Sequence, residues 1–281
     1  DPVPAIQPLA AASDGMALMD KADYGAEGLL GVLTPQANTT VEPEFWALLP
    51  PGWSMINARL TSDKGSIEAR LIDYTARYAE TAGQFANAPL TAIAAACTGA
   101  SYLIGREAEA KLVDDVEARR GVPFLTSALA STAALRAMGA QRVALLTPYP
   151  ESLNAHSVTY WTSQGFEIVA KAGPKLESEA FHPIYAMRGA GVLRTYEELA
   201  ASGADAILML GSGMATLRPL LEGRARGLPP AISCNVALAW AATQGRRWDA
   251  LDGSTLTAWL DGQHWAPRLD ALFPEEAATQ H

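Results

Sequence analysis

The sequence contains an internal repeat, and this repeat restricts the fold more than any other feature. The segment QRVALLTPYPESLN matches LLGVLTPQANTT, so that Thr147 follows Thr34 by 113 residues. The segment DAILMLGSGMAT matches TAIAAACTGAS, and Gly211 follows Cys97 by 114 residues. Because separate strand-like segments keep nearly the same offset, we expect two similar lobes that face each other.

Short apolar runs alternate with amphipathic helical stretches in both halves. In the first half, four such runs predict strands: LLGVLTP, WSMINARL, LTAIAAAC and VPFLTS. This alternation implies crossover connections and parallel strands. We therefore predict an α/β fold of two pseudo-symmetric Rossmann-like lobes, each with a mainly parallel four-stranded sheet flanked by helices. The active site is expected between the lobes, beyond the carboxyl ends of the strands.

The predicted organisation has three parts. Residues 1–28 form a partly irregular leader, residues 29–124 plus 235–281 form the first lobe, and residues 125–234 form the second. A chain of 281 residues is long enough for two lobes of this size.

Charge and composition exclude several classes of protein. The net charge is −9 and Lys and Arg are not clustered, which argues against a nucleic-acid partner. No apolar run reaches the roughly 18 residues that a bilayer span needs, so no membrane partner is expected. The two cysteines do not make a disulfide framework, and a cytoplasmic location is expected. Whether the chain forms a homo-oligomer stays open.

Cys97 is the first candidate for a chemical role. It ends a predicted strand and precedes a predicted helix, whose positive end and unpaired N–H groups favour a thiolate. Thr98 adds a hydroxyl, and Gly99 allows the backbone to approach a bound anion closely. The alternative is that Cys97 is a small buried apolar residue, as most free cysteines are.

Other strand ends supply groups that bind anions. Asn38, with its neighbours in QANTT, either caps the next helix or donates to a carboxylate in the cleft. Tyr149 presents a phenol from the matching loop, or else lies on the surface. The backbone at Ser212 and Gly213 has the composition of an anion-binding nest. Cys234 matches Ala128 in the repeat, which favours a packing role for this second cysteine.

Four motifs together resemble a known family: GVLTPQANTTVEPEF, AAACTGAS, VALLTPYPESLNAHSVTYWTSQGFEIV and ILMLGSGMATLRPL. They are similar to the maleate cis–trans isomerase and arylmalonate decarboxylase group of the aspartate/glutamate racemase superfamily. The resemblance implies one site between two lobes, no metal or organic cofactor and a small dicarboxylic acid as substrate. It also implies that Cys97 is the nucleophile and that Asn38, Thr98 and Tyr149 hold the substrate.

The sequence departs from this family at Gly211. The racemases and maleate isomerases carry a second cysteine there, and the decarboxylases keep only that second one. We expect that Gly211→Cys would place a new thiol opposite Cys97 and add α-proton exchange, provided that residue 211 does not require a positive φ.

Three functions remain open at this point. The first is maleate-type isomerisation, in which the Cys97 thiolate adds reversibly to the double bond and lets it rotate. The second is decarboxylation of an arylmalonate-like substrate, with a neutral Cys97 thiol that protonates the enediolate. The third is a carboxylate-binding protein without catalytic activity. A racemase is disfavoured, because racemisation needs two proton-transfer groups on opposite faces of the substrate.

Overall fold

The computed structural model describes residues 23–174, 184 and 187–274. Most of the predicted leader, residues 1–22, lies outside these ranges, and so do residues 275–281. The domain boundaries proposed above stay predictions.

The strands form two separate sheets, each of four strands within the described residues. They are β1 (Gly28–Pro35), β2 (Trp53–Leu60), β3 (Ala92–Ala95), β4 (Phe124–Thr126), β5 (Arg142–Leu146), β6 (Glu167–Ala172), β7 (Ala206–Met209) and β8 (Ala231–Ser233). The order is β2-β1-β3-β4 in one sheet and β6-β5-β7-β8 in the other. All pairings are parallel. The predicted fold is therefore confirmed.

Helices connect the strands and cover the sheets. They are α1 (Val41–Leu48), α2 (Ile67–Ala76), α3 (Tyr78–Ala82), α4 (Thr98–Arg120), α5 (Ser127–Ala137), α6 (Glu151–Ser163), α7 (Gly189–Leu199), α8 (Leu217–Ala225), α9 (Cys234–Ala242), α10 (Leu256–Leu260) and α11 (Ala266–Leu272). Helices α5 and α9, which follow the last strand of each sheet, pack against each other. This contact joins equivalent parts of the two repeats.

Local chemistry explains where several elements begin and end. The hydroxyls of Thr126 and Ser233 accept hydrogen bonds from the first turns of α5 and α9, at Leu129 N and Val236 N. Helix α4 has a kink at Gly105, where φ is +76°. The central strands β3 and β7 are buried along their whole length, as expected for parallel strands covered on both faces.

The repeat predicted from the sequence is preserved at the strand ends. Cys97 lies two residues beyond β3, and Gly211 lies two residues beyond β7. Since β3 and β7 occupy the same place in their sheets, the two residues are equivalent by topology. The carboxyl ends of both sheets therefore contribute matching loops to one place.

Candidate active site

A cavity of about 60 Å³ lies where these loops meet. Loops after β1, β3, β5 and β7 supply part of its wall: Pro35, Gln36, Ala37, Asn38, Cys97, Tyr149, Gly211, Ser212 and Gly213. One face of α2 and Ile184 supply the rest. The structure thus brings together five of the predicted site residues, which are Asn38, Cys97, Tyr149, Ser212 and Gly213. Both lobes contribute to the wall.

Cys97 lies at the wall of this cavity, just before the first turn of α4. Its side chain is almost fully buried. Burial raises the pKa of the Cys97 thiol to about 12, although the backbone N–H groups of Ala100 and Gly99 lower it. Burial therefore opposes the thiolate that the helix start was expected to favour. Loss of solvent outweighs the helix N-terminus.

Asn38 performs the capping role considered for it and lies at the cavity wall. Its Oδ1 accepts hydrogen bonds from the backbone N–H groups of Thr40 at 2.8 Å and Val41 at 3.1 Å, at the start of α1. Its Nδ2 donates to Ser212 Oγ at 3.0 Å, and this hydroxyl donates to Ala96 O at 2.7 Å. The amide has two hydrogens, so it can donate to Ser212 and to a ligand at the same time.

Thr98 and Gly99 do not belong to the cavity wall. Thr98 is fully buried, and its Oγ1 lies 3.1 Å from the phenol oxygen of Tyr149. A Cβ at Gly99 would lie 3.0 Å from Leu71 Cδ1 and 3.4 Å from the Tyr149 oxygen. Thr98 therefore orients Tyr149, and Gly99 lets α4 approach both side chains. This placement differs from the direct contact with substrate that was predicted for the two residues.

Gly211 lines the same cavity as Cys97, but its backbone has a φ of +83°. A Cβ at this position would lie 2.5 Å from Pro148 Cγ, well inside a normal contact. A side chain here is thus disfavoured twice, by backbone strain and by a clash with a rigid ring. The condition attached to the Gly211→Cys prediction is not met.

Helix α2 contributes residues that the sequence analysis missed. Ile67, Arg70, Leu71 and Tyr74 follow the spacing of a single helix face, and all four line the cavity. A charged residue on an otherwise apolar face was the signal that identifies Arg70. Burial raises the pKa of Tyr74 to about 12, with a further rise from Cys97 and a decrease from Arg70. Tyr74 therefore interacts electrostatically with both Cys97 and Arg70.

Cys234 is also buried, at the start of α9, and does not line the cavity. Burial raises the pKa of its thiol, with smaller contributions from Glu44 and Cys97. The packing role predicted for Cys234 fits this placement. Within the described residues no cluster of His, Cys, Asp or Glu is suited to hold a metal ion. No helix in those same ranges combines the length and the apolar composition needed to cross a membrane.

Comparison with known proteins identifies the family. The model of the arylmalonate decarboxylase family matches residues 30–255. The chain belongs to this family. Two curated relatives are maleate isomerases: one from Pseudomonas putida is 28% identical over 150 residues, and one from Nocardia farcinica is 33% identical over 149 residues. The matches cover half of this chain and 60% and 59% of those relatives, so the aligned region spans less than two thirds of either one.

Solved structures of the same group share the fold. The maleate isomerase of Pseudomonas putida S16 has a TM-score of 0.71 at 24% identity, covering 77% of this chain and 92% of that one. A Nocardia farcinica maleate cis–trans isomerase variant, solved with a covalently bound succinylcysteine intermediate, has a TM-score of 0.68 at 27% identity and covers 78% and 92%. Arylmalonate decarboxylase has a TM-score of 0.61 at 21% identity and covers 77% and 91%. The predicted family membership is thus confirmed.

Proposed function

We propose that this protein is a cofactor-independent cis–trans isomerase that acts on a short cis-enedioate such as maleate. The observation that carries the proposal is the joint placement of the Cys97 thiol and of anion-binding donors around one cavity. The curated relatives, which are maleate isomerases, support the same substrate class.

The cavity wall offers complementary groups to both ends of a dicarboxylate. The Asn38 amide, the Tyr149 phenol and the backbone at Ser212 and Gly213 form a set of neutral polar groups. Arg70 adds a positive charge from α2. A guanidinium can donate two parallel hydrogen bonds to one carboxylate, which suits the recognition of a second anionic end.

In the proposed reaction the Cys97 sulfur adds to one alkene carbon of the substrate. The C–S bond forms, and the π electrons move into the neighbouring carboxylate to give an enediolate. The thiol proton passes to an enediolate oxygen, so a neutral resting Cys97 is compatible with this step. Rotation about the new single bond follows. Expulsion of the sulfur, with return of the proton, gives the trans alkene and the original thiol. Donors around the enediolate stabilise its charge, and one such donor is worth about 2.7–4 kcal/mol.

Two observations favour decarboxylation as the second candidate. The Cys97 thiol is protonated at neutral pH, because burial raises its pKa to about 12. The apolar side chains of Ile67, Leu71 and Ile184 line the same cavity. In this reaction a C–C bond breaks, CO₂ leaves, and the electron pair remains as an enediolate. Cys97 then transfers its proton to the α-carbon and regains a proton from solvent.

Product analysis separates these candidates. We expect that purified protein converts maleate to fumarate, as followed by proton NMR, and leaves phenylmalonate unchanged. Succinate, which has no double bond, serves as a probe of binding alone in a thermal-shift titration. Formation of phenylacetate without fumarate would overturn the isomerase proposal in favour of the decarboxylase. Binding of succinate with no turnover of either substrate would instead establish a carboxylate-binding protein.

A further inference from the structure

Glu44 of α1 is a buried carboxylate that reaches from the first lobe into the second. Its Oε1 accepts hydrogen bonds from the backbone N–H groups of Thr216 at 2.6 Å and Leu217 at 3.3 Å. The Thr216 hydroxyl lies 3.1 Å from the same oxygen. Its Oε2 accepts a hydrogen bond from Asn235 Nδ2 at 2.7 Å. Three donors of the second lobe, together with the amide of Asn235, therefore converge on one side chain of the first lobe.

These contacts cap helix α8 from outside its own segment. Thr216 precedes α8 but makes no side-chain capping bond of its own. The first N–H groups of a helix have no partner within the helix, and a negative charge beside them is favourable. Glu44 supplies both the acceptor and the charge. A residue of α1 thus fixes the start of a helix in the other lobe.

The same network extends to the cavity wall. Asn235 Nδ2 also donates to Ser212 O at 3.1 Å, so one amide bridges Glu44 and a wall residue. Nearby, Thr40 Oγ1 of the first lobe donates to Gly213 O at 2.8 Å. The backbone carbonyl groups of Ser212 and Gly213 are therefore both held by hydrogen bonds. A change at Glu44 is transmitted to the wall through Asn235.

The structure assigns Glu44 as a positioning residue for the reaction proposed above, in which its ionised carboxylate holds the Ser212–Gly213 backbone ready to bind a substrate carboxylate. This inference rests on the proposed function for its substrate and deepens it. It predicts that substrate affinity depends on the charge of a side chain that does not touch substrate.

The protonation state of Glu44 gives this role a pH dependence. Burial raises the pKa of the Glu44 carboxyl to about 7, although hydrogen bonds from Thr216, Asn235 and Leu217 lower it. As the pH falls through this value, Glu44 loses its charge, which weakens the hydrogen bonds that it accepts from Thr216, Leu217 and Asn235. Affinity for a dicarboxylate is expected to decrease in that direction.

Other charged or titratable groups near α1 have different partners. Cys234 of α9 interacts electrostatically with Glu44, and its pKa is raised mainly by burial, so it stays neutral at these pH values. Arg218 of α8 lines the same surface groove as Glu44 and forms an ion pair with Asp270. Arg268 of α11 donates to backbone carbonyls at the opposite end of α1. Glu44 is therefore the group among these that gains a proton near neutral pH.

The test compares Glu44→Gln with Glu109→Gln. Glu109 is the matched control, because it is also buried and accepts hydrogen bonds from three hydroxyls, those of Ser101, Thr126 and Tyr160. None of these four residues lines the cavity. Both variants lose hydrogen bonds in the core, so loss of stability alone cannot explain a difference between them in substrate affinity.

Kinetics with maleate are measured from pH 5.5 to 8.5. For the unmodified protein KM is expected to rise about tenfold as the pH falls through 7, which corresponds to the loss of about one hydrogen bond. In Glu44→Gln, KM is expected to be about tenfold higher at every pH and to lose its pH dependence. Its kcat is expected to stay within about threefold of that of the unmodified protein. Glu109→Gln is expected to keep the pH profile of the unmodified protein.

A second variant and a second probe keep this test independent of the proposed function. Asn235→Ala removes the same bridge from the other side and should raise KM in the same way. It serves as the test if Glu44→Gln fails to fold. Succinate affinity, measured by calorimetry over the same pH range, tests carboxylate binding at the Ser212–Gly213 backbone without any turnover. If maleate is not turned over, but succinate affinity falls with pH in the unmodified protein and not in Glu44→Gln, the proposed function fails and this inference stands. An unchanged pH profile in Glu44→Gln, or an equal change in Glu109→Gln, would overturn it.

Discussion

The two lobes have the same sheet order and differ at the second residue after the third strand of each. In the first lobe this residue is Cys97, with two backbone N–H groups directed at its sulfur. In the second it is Gly211, with a φ of +83° and the Pro148 ring against the place of a Cβ. A repeated fold therefore delivers two equivalent positions to one cavity, while only one carries a reactive group. The asymmetry suits chemistry at a single face of the substrate, such as reversible addition or one protonation, and it does not suit racemisation.

The largest effect is expected from a comparison of the two cysteines. Cys97→Ala should reduce kcat for maleate by about 10³-fold or more, because it removes the nucleophile. Cys234→Ala should stay within a few-fold of the unmodified protein, because Cys234 packs at the start of α9 outside the cavity wall. Steady-state kinetics measure both. Equal losses in two folded variants would place Cys234 in the reaction and contradict the assignment of Cys97.

The next prediction concerns Gly211, which is equivalent to Cys97 in the repeat and has no side chain. Gly211→Cys is expected to lower the free energy of unfolding by about 2 kcal/mol or more, since a positive φ and a close contact both add strain. Chemical denaturation measures this loss. Adding Pro148→Ala should recover the part that comes from the 2.5 Å contact, and not the part that comes from φ.

Gly65→Cys is the matched control for this strain. A Cβ at Gly65 has nothing within 4 Å and its φ is not positive, so stability should change little. If Gly211→Cys proves as stable as Gly65→Cys, the loop adopts another backbone in solution. A second thiol opposite Cys97 would then be feasible, and the difference between the lobes would be one of sequence alone.

The sequence predicts the fold well because its information is local and repeated. Strand ends such as Thr34 and Thr147 are marked by apolar runs that stop at a Thr-Pro pair, and the constant offset shows that the lobes correspond. Residues in the loops just after a strand, such as Asn38 and Cys97, could be placed for the same reason. Parallel strands put their carboxyl ends at one edge of the sheet.

The remaining features depend on tertiary packing and could not be predicted in this way. Arg70 stands out as a charged residue on an apolar helix face, but only the packing of α2 shows that this face covers the cavity. Glu44 lies in the first turn of its own helix, yet its partners Thr216 and Asn235 lie far along the chain. The protonation of Cys97 depends on how much of the chain covers it, because burial raises the pKa of the thiol. The helix start alone would lower this pKa.

The last comparison concerns Tyr149 and its neighbours, and it tests how the first lobe orients a donor of the second. Tyr149 lines the cavity and its phenol lies 3.1 Å from Thr98 Oγ1, whereas Tyr102 packs edge-on against Tyr149 outside the wall. Tyr149→Phe removes one donor to a substrate carboxylate and should reduce kcat/KM by about 10- to 100-fold.

Thr98→Val keeps the shape of the threonine and removes the bond that orients the phenol, so a smaller loss of about two- to fivefold is expected. Tyr102→Phe keeps the ring contact and should leave kcat/KM nearly unchanged. Steady-state kinetics on the three variants, with thermal melts to verify folding, give the order of effects. A loss in Thr98→Val as large as that in Tyr149→Phe would mean that Thr98 binds substrate itself, as the family resemblance implies. The hydroxyl that the structure places behind Tyr149 would then have to reach the cavity when substrate is bound, and the site would be one that rearranges around its ligand.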